Sequence, residues 1–159
     1  MKRIISIILV LVLSLSSLCA CGGKGTSLTR ANYKDYIYFN IREQYIKKSV
    51  DVGHWGSQTR NTDLYFTVWS NGTSSNFNYN NVKIKLRIYG SYGIADLKSI
   101  SDSPDEMKTF EIFVELSPNI SGQTPYGIDS QKISGNGKAI VRCEFQYEVV
   151  SISGTVTPA

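Results

Sequence analysis

Apolar and polar residues alternate with a period of two along most of the chain. Ile37, Phe39 and Ile41 alternate with Tyr38, Asn40 and Arg42, and Leu64, Phe66 and Val68 with Tyr65, Thr67 and Trp69. Val82, Ile84, Leu86 and Ile88 are set against Lys83, Lys85, Arg87 and Tyr89, and Phe110, Ile112, Val114 and Leu116 against Glu111, Phe113 and Glu115. The longest run places Ala139, Val141, Cys143, Phe145, Tyr147 and Val149 opposite Arg142, Glu144, Gln146 and Glu148. Each run has one apolar and one mostly polar face, the pattern of antiparallel sheets that pack on one side and meet water on the other. Turn-forming residues gather between the runs, over 53–61, 71–76, 90–105 and 117–137.

No segment sustains a period of 3.6. The five runs, the last extended through Ile152 and Val156, predict an all-β fold. Its expected architecture is an antiparallel β-sandwich, Ig-like in general layout, with a closed barrel as the alternative. A short helical turn is expected over 28–33, with Thr29 as its cap. Ser103-Pro104-Asp105-Glu106 combines a capping serine, a proline at the first position and acids in the first turn, which predicts one more turn before alternation resumes.

The first 21 residues break the pattern. Lys2 and Arg3 precede a run over 4–18 that is apolar apart from serines. That run is short for a spanning helix, which needs roughly 20 residues, and suits the apolar region of an export signal. Leu18-Cys19-Ala20-Cys21 follows and resembles the lipobox of bacterial lipoproteins: a branched apolar residue, a small residue before the cut and an obligatory cysteine after it. The resemblance implies cleavage between Ala20 and Cys21 and a diacylglyceryl group on the Cys21 thiol, with the chain anchored on the extracytoplasmic face of the cell membrane. Two acyl chains give stable attachment where one holds only marginally. The alternative is an ordinary cleaved signal.

The expected organisation is a lipoprotein signal peptide over 1–20, an acylated cysteine with a flexible tether over 21–27, and a β-sandwich over 28–159. Leu28-Thr29-x-x-Asn32-Tyr33-x-x-Tyr36, leading into a strand, is similar to the start of small β-rich extracytoplasmic domains of unknown function in bacterial envelope proteins. That resemblance implies a domain class and no activity.

Composition alters this picture little. The chain of 159 residues is 42% hydrophobic and 19% charged. A domain of the size left after signal removal buries roughly two-thirds of the surface its unfolded chain exposes, enough to fold without a metal or disulfide. The net charge of +4 overstates the basicity, because Lys2 and Arg3 leave with the signal and 15 basic residues then face 13 acidic ones. A near-neutral domain gives no electrostatic reason for a nucleic-acid partner. Of three cysteines, Cys19 is discarded and Cys21 acylated, so Cys143 alone stays in the folded part.

Catalytic chemistry is poorly represented, and an enzyme is not expected. The sequence holds neither a G-x-S-x-G elbow nor an S-x-x-K pair, and any triad would depend on the single histidine, His54. His54 lies in Val52-Gly53-His54-Trp55-Gly56, which reads as a turn whose tryptophan tucks against the end of the sandwich. One histidine and one free cysteine do not make a closed zinc site, and Asp102, Asp105 and Glu106 lack the spacing of a dedicated calcium loop. No metal or cofactor is expected. Cys143, on an apolar face, reads as a packing residue with an inert thiol. Lys83, Lys85 and Arg87 read as part of a mixed-charge face, balanced by Glu111, Glu115, Glu144 and Glu148 on other strands.

The aromatics are the remaining functional signal. Tyr65 and Trp69 fall on the polar side of their strand, Tyr89 points outward on another, and Trp55 sits in a loop. Such residues stack on sugar rings and anchor protein interfaces; the competing reading buries them under a second layer. The expected function is a non-enzymatic interaction module that binds another envelope protein. The alternative is a module for glycan or cell-wall polymer that uses Trp55, Trp69, Tyr65 and Tyr89.

Overall fold

The structure is a computed structural model that describes residues 25–118 and 127–159. Leu18, Ala20 and Cys21 of the lipobox lie outside the described residues. Seven strands follow in order: β1 (Thr26–Ser27), β2 (Ile37–Asp51), β3 (Ser57–Gly72), β4 (Phe77–Asp96), β5 (Glu106–Leu116), β6 (Ile128–Ser134) and β7 (Lys138–Pro158). They form two antiparallel sheets, ordered β1-β7-β4-β5 and β2-β3-β6. The fold is therefore an all-β sandwich. Among the described residues no strand of one sheet pairs with a strand of the other, which favours the sandwich over the closed barrel.

The alternation read from the sequence builds the core. Leu64, Phe66 and Val68 of β3 face Leu86 and Ile88 of β4 and Val114 of β5, and all six are fully buried. Phe66 sits at the centre, stacked on Phe110 at 5.4 Å between ring centroids and edge-on to Phe145 at 4.9 Å. Gly90 pairs with Phe110 on one side and Phe145 on the other. A Cβ there would collide with the Glu144 carbonyl oxygen. The glycine that reads as a turn signal is thus the point of closest approach inside the longest strand pair.

Several local expectations change. β4 runs through 90–96, where Gly90 and Gly93 signalled a turn. β6 lies within a stretch that reads as loop, because only Ile133 of its residues is buried and two apolar positions make no visible pattern. A register shift between Gly93 and Ile94 makes Val141 the extra residue of a β-bulge, so Ile140 takes the core position instead. Thr26 and Ser27, read as tether, pair with Val156 and Thr155. The N-terminal turn is a 3-10 turn over Tyr33–Asp35. Asn32 and not Thr29 occupies its cap position, with Asn32 Oδ1 accepting from the Thr29 N–H at 2.8 Å. Residues 103–105 form no helical turn; Asp105 instead accepts from the Asp96 N–H and steers the chain into β5.

Candidate functional site

The four aromatics singled out in the sequence fall into three separate places. Trp55 is at the tip of the β2–β3 hairpin, where Asp51 pairs with Ser57. Gly53 (φ 73°) and Gly56 (φ 69°) adopt left-handed conformations that close this tip, and Gly53–Trp55 forms a 3-10 turn. Trp55 is 68% exposed, so it does not tuck against the sandwich. His54 beside it is exposed as well.

Tyr65 and Trp69 share the outer face of the three-stranded sheet, four residues or about 13 Å apart along β3. Tyr65 is flanked by Gln44 and Lys132, and Trp69 by Asn40 and Ile128. Lys132 lies over the Tyr65 ring at 5.9 Å and reaches Asp63 at 3.2 Å. Both rings are half-buried by these neighbours.

Tyr89 occupies the outer face of the other sheet. The Arg87 guanidinium lies 4.6 Å from its ring centroid. That guanidinium donates from Nη1 to Glu148 at 3.0 Å and from Nη2 to Glu111 at 3.3 Å, tying β4 to the strand on either side. Lys85 pairs with Glu115 at 3.1 Å. Two of the three cations in the apparent basic stripe are thus matched across strands, as a mixed-charge face requires. Beyond Tyr89 the side chains shrink to Ser91 and Thr109, leaving an open depression of about 370 Å³ lined by Tyr89, Gly90, Ser91, Thr109, Glu144, Phe145 and Gln146. The sequence pattern puts Tyr89, Glu144 and Gln146 on one face. Their convergence depends on the register of β4 against β7, which no local signal reveals.

The aromatics that pack on one another are a different set. Among the described residues, the ring pairs involve Tyr33, Tyr36, Phe39, Phe66, Phe77, Tyr79, Tyr92, Phe110, Phe145 and Tyr147. None includes Trp55, Tyr65, Trp69 or Tyr89.

Cys143 is half-buried beside the core. Burial pushes its thiol up to about 12, with the carboxylates of Glu43 and Glu144 adding to the shift. Tyr45 on β2, an edge strand of the other sheet, is likewise pushed up to about 12, first by burial and then by Glu43 and Cys143. Asp102 faces Arg60 at 3.6 Å, while Asp105 is occupied by the Asp96 N–H. Among the described residues, no three histidine, cysteine, aspartate or glutamate side chains gather as a metal site. Comparison with models of known protein families, with curated proteins and with solved structures finds no match.

Proposed function

We propose that this chain is an exported lipoprotein, anchored through acylated Cys21, whose sandwich is a non-enzymatic module that binds another envelope protein through the β2–β3 hairpin. The carrying observation is the direction in which that hairpin extends. Thr26, Ile37, Gly72 and Pro158 lie at the end where the chain enters the fold, since Thr26 pairs with Val156, Ile37 with Gly72 and Phe77 with Pro158. The fifteen residues of β2 then run toward the opposite end, a rise of about 50 Å. Arg60 contacts the Ser99 carbonyl and Asp102 near that far end. Past this contact the arm continues, and Ser49, Asp51, Trp55, Ser57, Gln58 and Thr59 are all exposed.

An anchored domain meets its surroundings with the end farthest from the anchor. Five Cα steps separate Cys21 from Thr26, a reach of at most about 18 Å, so the near end stays at the membrane. The far end presents a tryptophan, the side chain most enriched where interface energy concentrates. β2 is also the outer strand of its sheet, so its outward backbone edge is open among the described residues. Lys47, Lys48 and the irregularity between Ile46 and Lys47 guard its distal part against unspecific pairing.

A photo-crosslinking residue at Gln58, compared in living cells with one at Glu111 on the other sheet, tests this. The expected result is one discrete adduct from position 58 that disappears on Trp55→Ala. No adduct at 58, or the same adducts from both positions, would overturn the reading.

A further inference from the structure

The depression beside Tyr89 lies on the sheet that does not carry the arm, and its lining has a definite chemistry. Arg87 covers one side of the Tyr89 ring and is itself fixed by Glu111 and Glu148. The depression opens on the other side of the ring, toward Ser91. Its floor holds Gly90, which has no side chain, and Phe145, whose ring packs inward on Phe66, so backbone faces the opening. Around the rim stand the hydroxyls of Ser91 and Thr109, the Glu144 carboxylate, one oxygen of which pairs with Arg142, and the Gln146 amide, whose oxygen accepts from the Tyr89 hydroxyl at 3.4 Å. One flat apolar surface, held rigid from behind and ringed by hydrogen-bonding groups, recognises a ligand that is flat and apolar on its faces and polar around its edge.

We propose that this depression is a saccharide subsite for a neutral pyranose in a β-linked chain with equatorial hydroxyls. Such a ring presents axial C–H bonds on both faces, and these meet the electron-rich face of Tyr89. Its equatorial hydroxyls reach outward to Glu144, Gln146, Ser91 and Thr109. A purely aromatic ligand would stack equally well but would cover the Gln146 amide nitrogen and the Ser91 and Thr109 hydroxyls without offering them a partner, which costs binding. An anionic ligand would meet the Glu144 carboxylate. The volume, about 370 Å³, stands at the lower end of the roughly 300–1,000 Å³ of small-molecule sites, which suits one or two rings. This subsite is independent of the hairpin arm and stands or falls separately from it.

The test is saturation-transfer NMR on the full chain in a detergent without a sugar headgroup, with cellobiose and N,N'-diacetylchitobiose as probes. Transfer is expected to be strongest to the axial ring protons of at least one probe. Tyr89→Ala should weaken that binding about tenfold, and Tyr89→Phe should keep it within about twofold because the ring remains. Ser91→Leu, which fills the depression and leaves the platform in place, should abolish it; Trp55→Ala should not change it. Should Tyr89→Ala fail to fold, Ser91→Leu decides alone. Absence of transfer to both probes, or wild-type binding by Ser91→Leu, would overturn the proposal. Neither outcome bears on the crosslink from position 58.

Discussion

Single residues in this sandwich are constrained chiefly by what lies across the strand from them. At Gly90 an added methyl meets the Glu144 carbonyl oxygen, a backbone atom that moves only if β7 moves. Gly90→Ala is expected to lower stability by about 3 kcal/mol, at the upper end of overpacking costs, read as a shift in the urea midpoint. Ser70 shows the opposite case. It is fully buried and its hydroxyl has no hydrogen-bond partner among the described residues, so Ser70→Ala should raise stability by about 1 kcal/mol.

The raised pKa values of Cys143 and Tyr45 fix how stability responds to alkali. Unfolded, the thiol and phenol release their protons near 9 and 10, whereas folded they hold them to about 12. The native state therefore binds more protons between about pH 9 and 12, and stability falls as pH rises through that window. The urea midpoint should drop from pH 8 to pH 10.5, and less steeply in a Cys143→Ala, Tyr45→Phe double variant. At pH 8 the native thiol should resist a disulfide reagent and react once the chain is unfolded.

Among the elements, the β2–β3 hairpin is the one whose length exceeds the needs of the core. Its proximal half supplies Ile37, Leu64, Phe66 and Val68 to the interior; the part beyond Ser49 and Thr59 buries no core residue. Replacing residues 50–58 with Asn-Gly, a two-residue hairpin turn, should leave the melting temperature within about 3 °C of the parent. A fall of ten degrees would mean that the tip supports the fold and is not an appended arm. Sequence legibility at this scale follows burial. β3, β5 and the part of β4 over 82–88 are legible because every second residue of each is buried or half-buried on one face. β6 was hidden because it is an edge strand with a single core residue, Ile133. The far half of β4 was hidden because Gly90 and Gly93 serve close packing and look like turn residues.

For the whole molecule, the two ends differ: the described chain enters the fold at one, at Thr26, and the other carries the arm. Cys21→Ala should abolish incorporation of a labelled fatty acid into the protein without disturbing the fold, since the folded strands begin at Thr26. Parent protein that takes up no label would count against lipid anchoring. The sandwich shares one core between both sheets, with Phe66 from one sheet between Phe110 and Phe145 of the other.

The sequence by itself determined the all-β class and most inward-facing residues, because a two-residue period puts every second side chain on the side that must leave water. It left open whether Trp55, Tyr65, Trp69 and Tyr89 stand apart from the packing aromatics or lie under a second layer, because alternation places a residue on a face without saying what covers that face. Only the tertiary structure decided how these four are distributed. Strand pairing set Tyr65 and Trp69 on one sheet and Tyr89 on the other, and hairpin length carried Trp55 away from both. The depression beside Tyr89 has the same origin. It draws residues more than fifty positions apart in the chain onto three neighbouring strands, and that register is a property of β4 packed between β5 and β7, not of any one strand.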